Sequence, residues 1–184
     1  MKFDASIVQT RFQSPLGTLI LAATHTGLAG LWFEGQRHLP RELAPTLGTD
    51  VSSLPSPAVW PTDPDHPVLQ KVSRQLAEYF AGQRTQFDVP LDLACGTAFQ
   101  QSVWQALLKI PRGGTASYSE VSASIGKPAA VRAVGAAVGR NPVSIIVPCH
   151  RVLGAHGALT GYAGGLDRKT ALLKLEGVRL EGAS

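Results

Sequence analysis

The chain has 184 residues, 44% of them hydrophobic, enough for one large domain or two small ones with a real core. No apolar run approaches the ~20 residues that cross a bilayer. Met1-Lys2-Phe3-Asp4 leads into no signal-peptide pattern, and two cysteines, Cys95 and Cys149, make no disulfide framework. Free thiols in a reducing, cytoplasmic setting are expected. The net charge of +4 is divided unevenly. Residues 1–94 carry seven Lys/Arg against nine Asp/Glu, whereas residues 95–184 carry ten against four. A basic half on a mildly acidic one suits a polyanion-binding module joined to a scaffold, although chance clustering on solvated faces gives the same count.

Residues 7–34 read as strands, with Leu19-Ile20-Leu21 and Leu28 to Phe33 flanking a hairpin turn at His25-Thr26-Gly27. Seven of the thirteen prolines fall between Pro40 and Pro67, which predicts an extended loop over 40–67. From Val68 the period becomes helical, with Leu69, Val72, Leu76 and Tyr79 on one face and Gly82 as the stop. Residues 84–96 read as a short strand and a crossing segment, and the domain boundary is placed near Cys95-Gly96, giving domains 1–95 and 96–184.

Thr97-Ala98-Phe99-Gln100 has the form of a capping box and opens a helix ended by Pro111; Ser117-Tyr118-Ser119-Glu120 is a second, opening a short helix that ends at Gly126. Lys127-Pro128 restarts a helix through Val131, Val134 and Val138 to the stop at Asn141-Pro142. Two short helices about a Gly-containing turn describe a helix-turn-helix. Its second helix carries Arg132 and is rich in Ala and Gly, so its backbone can approach a neighbour closely. The β-branched run Val143 to Val147 predicts a buried strand. Pro148-Cys149-His150-Arg151 follows it, then a glycine-rich loop and a last helix ending at Glu176-Gly177.

A thiol held just beyond a strand, with an imidazole beside it to take its proton and lower its pKa, is a candidate nucleophile. A buried cysteine serving as a small apolar filler is the alternative. Glu176 sits at a helix C-terminus, where an anion is disfavoured by ~0.3–1 kcal/mol. That cost suggests a second duty, orienting His150, against the plainer reading of a solvated surface carboxylate.

Together these residues are similar to a known family. Asn141-Pro142, Ile145-Ile146-Val147-Pro148-Cys149-His150-Arg151-Val152 and Gly161-Tyr162-Ala163-Gly164-Gly165 resemble the O6-alkylguanine-DNA alkyltransferases. So do Phe99 to Trp104, Ser117-Tyr118, Arg132-Ala133-Val134-Gly135, Leu172-Leu173 and Glu176-Gly177. The resemblance covers residues 97–177. It implies an α+β fold: an N-terminal α/β, ribonuclease-H-like domain, then a mostly helical, winged-helix-like domain with the helix-turn-helix.

The resemblance also implies the chemistry. Cys149 is the nucleophile and alkyl acceptor in a single-turnover transfer from O6 of guanine, without cofactor. His150 takes the thiol proton through a water and Glu176 polarises the imidazole. Asn141 bridges the helix-turn-helix to the active segment, and Tyr118 donates a proton to a guanine ring nitrogen. The carbonyls of Cys149 and Val152 accept from the guanine amine, the Ala163 amide donates to O6, and Val138 sets pocket width. Arg132 fills the gap left by the extruded nucleotide, and Lys127, Ala129, Ala130 and Gly135 face double-stranded DNA; base extrusion costs a few kcal/mol. A monomer in solution is expected, with clustering on DNA and activity on O4-alkylthymine left open. No metal is predicted, because Cys95, His25, His38 and His66 lack ligand-like spacing.

Three other readings are weighed. A non-catalytic lesion-binding relative would lack the cysteine, which this chain keeps. A cysteine hydrolase would need Cys149 and His150, neighbours on a strand, to bend toward each other. A helix-turn-helix regulator with a redox thiol leaves Tyr118 and Glu176 unexplained.

Overall fold

The computed structural model describes residues 1–43 and 59–180. Strands β1 (Val8–Ser14), β2 (Gly17–Ala23) and β3 (Leu28–Phe33) form an antiparallel meander. The turn at His25-Thr26-Gly27 is closed by Thr24 N–H donating to Gly27 O at 2.9 Å. Alternation along β2 and β3 gives the sheet two buried faces. Leu19, Leu21, Leu31 and Phe33 look into the main core with Leu69, Val72, Leu76 and Tyr79 of α1 (Pro67–Phe80). Ile20, Ala22, Ala29 and Trp32 pack against Leu43 and Trp60 on the other side. The predicted loop 40–67 falls largely outside the described residues; of its flank, Thr62 pairs with Gln9.

The two capping boxes form as read. Thr97 and Gln100 cap α2 (Ala98–Leu107), and Ser117 and Glu120 cap α3 (Tyr118–Ser124), each with both reciprocal hydrogen bonds. The restart at Lys127-Pro128 is different: Pro128–Ala130 is a single 3-10 turn, and α4 (Val131–Gly139) opens only at Val131. Trp104 Nε1–H donates to Ala137 O at 2.9 Å, fastening α2 to the end of α4. Strands β4 (Ala116–Ser117) and β5 (Val152–Leu153) pair in parallel, tying the start of α3 to the chain just beyond Cys149. Helix α5 (Leu166–Leu175) closes the fold.

Two predicted strands do not form. Residues 84–96 contain only an isolated pairing of Leu91 with Leu28, and residues 143–147 only one of Val143 with Leu31. Both segments hydrogen-bond to β3, covering a sheet edge that would otherwise be open. Past Val143 the chain turns back on itself: Ile146 N–H donates to Ser144 O at 2.8 Å across Ile145, whose φ is 71°. This is the rare, strained form of the γ-turn, and for a β-branched residue it costs on the order of 1–3 kcal/mol.

The strain is offset by Asn141. Its Nδ2 donates to Val143 O at 3.2 Å and Val147 O at 2.8 Å, and its Oδ1 accepts from Val143 N–H at 3.0 Å. One amide side chain thus takes the bonds that a neighbouring strand would have supplied.

Candidate functional site

Cys149, His150 and Arg151 form a single 3-10 turn rather than the end of a strand. Cys149 is 5% exposed, and its sulfur accepts from Asn141 Nδ2 at 3.0 Å. Burial pushes the thiol up to about 11, although the Asn141 bond and the positive charge of Lys169 pull the other way. The expected lowered pKa is therefore corrected: in the free protein the sulfur is protonated at neutral pH.

His150 is fully buried and makes no direct hydrogen bond to Cys149. Its Nε2 lies 3.0 Å from Glu176 Oε1. Burial would raise the Glu176 carboxyl, but hydrogen bonds from Arg151 and His150, together with their charges, outweigh it and hold the group far below the usual carboxylate range. The carboxylate is thus an acceptor only, which assigns the imidazole proton to Nε2. Nδ1 is left as a bare lone pair with no protein partner among the described residues. Burial lowers the His150 pKa, with the Glu176 hydrogen bond and charge opposing it. A neutral, oriented base results.

Glu176 is no solvated surface residue. It caps the C-terminus of α5 at 6% exposure, and Arg151 grips it through Nε to Oε2 at 2.7 Å and Nη2 to Oε1 at 2.9 Å. A paired guanidinium and a third donor, Tyr79 Oη at 2.7 Å, offset an unfavourable helix end.

A cleft of about 120 Å³ is lined by Tyr118, Gly135, Gly139, Gly161, Tyr162 and Ala163, with Arg37 and His38 from the N-terminal half. A Cβ on Gly135 would lie 3.8 Å from the Tyr118 ring, and one on Gly161, at φ 45°, 3.6 Å from its hydroxyl. Both are ordinary contact distances, so the phenol sits between α4 and the loop without needing glycine for space; at Gly161 it is the positive φ that favours glycine. Burial raises the Tyr118 pKa, so the hydroxyl stays a proton donor.

Of the residues read from the sequence, Tyr118, Gly135 and Ala163 line this cleft, while Cys149, Val138 and Val152 are buried and do not. The Cys149 carbonyl already accepts from Val152 N–H, and the Val152 carbonyl from Lys169 Nζ at 2.6 Å. Lys127, Ala129 and Arg132 are exposed and Ala130 half-buried on the helix-turn-helix. Among the described residues no group of three His, Cys, Asp or Glu could hold a metal, and no helix is long and apolar enough to cross a membrane.

Three groups escaped the sequence reading. Lys169 is 0% exposed and donates to the carbonyls of Val152, Thr160 and Gly161, the last two at 2.7 and 3.5 Å. Burial lowers its pKa to about 8, and the Cys149 thiolate would raise it. Arg151 and Tyr79 both serve Glu176. Lys169 shares the buried face of α5 with Leu172 and Leu173, and that i, i+3, i+4 position was the available signal.

A buried thiol held by Asn141, followed in the same 3-10 turn by a histidine bonded to a carboxylate and set in a domain with a helix-turn-helix, defines a DNA-binding class of protein with a candidate cysteine nucleophile. The comparisons place it further. Residues 7–93 match the ribonuclease-like domain of 6-O-methylguanine DNA methyltransferase, and residues 98–178 its DNA-binding domain. The methylated-DNA–protein-cysteine methyltransferase of Mycobacterium leprae is 47% identical over 163 residues, 89% of this chain and 88% of that protein. That of Methanosarcina acetivorans is 46% identical over 167 residues, 90% and 96% of the two chains. The crystal structure of Mycobacterium tuberculosis O6-methylguanine methyltransferase superposes with TM-score 0.76 at 47% identity, covering 92% of each chain. M. tuberculosis OGT in complex with DNA does so with TM-score 0.75 at 46% identity, covering 92% and 91%.

The chain belongs to the methylated-DNA–protein-cysteine methyltransferases, enzymes of direct-reversal DNA repair. Its partner is DNA.

Proposed function

We propose that the protein removes alkyl groups from O6 of guanine in double-stranded DNA by transferring them irreversibly to Cys149. The observation that carries this is the Asn141–Cys149–His150–Glu176 arrangement, with an oriented, neutral imidazole in the same 3-10 turn as a buried thiol. His150 Nδ1 takes the thiol proton, relayed by a water, when the base enters and the site dries. The sulfur electron pair then forms the new S–C bond as the C–O6 bond breaks, and its electrons pass to the guanine ring. Tyr118 supplies a proton to a ring nitrogen of the leaving base, with proton balance restored from solvent. A thioether is not hydrolysed, so each molecule acts once.

Exposed Lys127, Ala129 and Arg132 and the small residues Ala130 and Gly135 suit a helix that lies close against DNA, with Arg132 in the gap left by the everted nucleotide. Ala163 N–H and the Cys149 and Val152 carbonyls are assigned to the guanine edge. We place the modules at 1–95 and 96–184 and read the chain as a cytoplasmic monomer; two free thiols suit a reducing compartment.

The test is stoichiometric. Increasing amounts of duplex bearing O6-methylguanine are given to a fixed amount of protein, and restored guanine is counted. The count should stop at one per protein molecule; continued turnover would remove the proposal.

A further inference from the structure

Glu176 Oε1 is shared by three donors, and one of them comes from the other half of the chain. Tyr79, on α1, is 1% exposed, and its hydroxyl donates to Oε1 at 2.7 Å across 97 positions of sequence. The same oxygen accepts from His150 Nε2 and Arg151 Nη2. The phenol ring has little freedom. Phe80 and Phe87 lie with ring centroids at 5.3 Å, and the Arg112 guanidinium sits 5.7 Å above its face. Arg112 in turn donates to Leu175 O at 2.8 Å, next to Glu176 in the chain. Phenylalanine would fill the same space without burying a hydroxyl, a group that costs free energy inside a core unless it is bonded.

We propose that Tyr79 is a positioning residue for the transfer reaction, holding Glu176 Oε1 against His150 from the N-terminal half of the chain. This inference rests on the reading of Cys149 and His150 given above. A carboxylate oxygen facing an imidazole alone would lend it more negative charge than one whose charge is spread over three donors. Tyr79 therefore does two things: it fixes where Oε1 sits, and it keeps His150 from becoming too strong a base to stay unprotonated. Among the described residues the charged and titratable groups around the relay are Tyr79 on α1, Arg112 beyond α2, Cys149 and Arg151 in the 3-10 turn, Tyr162 in the loop before α5, and Lys169 on α5. Among the described residues, Tyr79 is the group that reaches the Glu176 carboxylate from the N-terminal half, with Arg112 packed over its ring. The N-terminal half is thereby part of the catalytic relay as well as a scaffold.

The test is Tyr79→Phe in the full-length protein, with single-turnover transfer from O6-methylguanine duplex followed across pH. DNA affinity should be unchanged, because Tyr79 is buried away from the helix-turn-helix. Transfer at neutral pH should slow by on the order of fivefold, and the acid limb of the pH–rate profile should move up by about half a unit as His150 becomes more basic. A second variant with 3-fluorotyrosine at position 79 is nearly isosteric and a stronger donor, so its limb should move down; it also carries the test if Tyr79→Phe fails to fold. Unshifted limbs in the folded variants would overturn the proposal, whatever their stability. The His150 ring resonances of the free protein, titrated by NMR, give the same shifts without any substrate. Wild-type protein that makes no Cys149 adduct would refute the transfer reading, while that titration would still decide the role of Tyr79.

Discussion

Lys169→Met replaces a fully buried ammonium by an apolar chain of similar length. The ammonium spans two walls of the site, donating to Val152 O on β5 and to Thr160 and Gly161 O in the loop that carries Tyr162 and Ala163. Its pKa falls from 10.5 to about 8 on burial. Carrying the charge at pH 7 therefore costs the folded state about 3 kcal/mol relative to a solvated amine. Methionine removes that cost but strands two closely bonded carbonyls, each worth about 1–3 kcal/mol. The net change at pH 7 should be within about 2 kcal/mol, far less than a buried Lys truncation suggests.

The sign with pH is more diagnostic. Between pH 8 and 10.5 the unfolded chain holds this proton and the folded one does not, so the Lys169 penalty fades as pH rises through that window. Urea unfolding of both proteins at pH 7 and pH 9 should show wild type gaining about 1 kcal/mol on the variant. The Cys95 thiol, raised to about 11, is common to the two proteins and drops out of the difference; the Cys149 thiol, also at about 11, moves further up when the Lys169 charge is removed and stays protonated at both pH values. Transfer should slow on the order of tenfold at pH 7, since the cation that favours the Cys149 thiolate is gone. A stability gap that stays constant between the two pH values would refute the buried ammonium, and an undiminished rate would refute its action on the sulfur.

Asn141→Ala should cost about 2–4 kcal/mol in urea unfolding, because it leaves the turn carbonyls of Val143 and Val147 without their donor; a loss under 1 kcal/mol would show that the turn stands alone. Tyr118→Phe should slow transfer by on the order of a hundredfold while leaving DNA affinity, read by anisotropy, nearly unchanged. Equal loss of both would remove it as the proton donor. Arg132→Ala should slow repair of duplex more than reaction with free O6-alkylguanine, and equal slowing would take base extrusion from its duties.

The local parts of this fold were legible in the residues. Capping boxes such as Thr97–Gln100 and Ser117–Glu120 act within four residues, so their pattern carries their geometry. The hairpin and the apolar face of α1 are equally short-range. The run Val143 to Val147 misled because composition reports β preference but not that the Asn141 side chain claims the backbone bonds a strand would use. At the site, Cys149, His150, Glu176 and Tyr118 were visible through motif and family likeness. The donors that set their chemistry were not. Tyr79 read as one more core residue of an amphipathic helix, and Lys169 as an ordinary helix cation. Their partners lie 97 and 17 positions away, and such pairings leave no local trace. A tyrosine on an otherwise apolar face does signal a buried hydroxyl in need of an acceptor; it does not say which.

Peptide mapping by mass spectrometry, after incubation with O6-methylguanine duplex, tests most directly whether this one sulfur receives the alkyl group. The peptide containing Cys149 should carry a single methyl, Cys95 none, and Cys149→Ala protein should leave the lesion in place. A repaired duplex with an unmodified Cys149, or a methyl found on any other residue, would contradict the account.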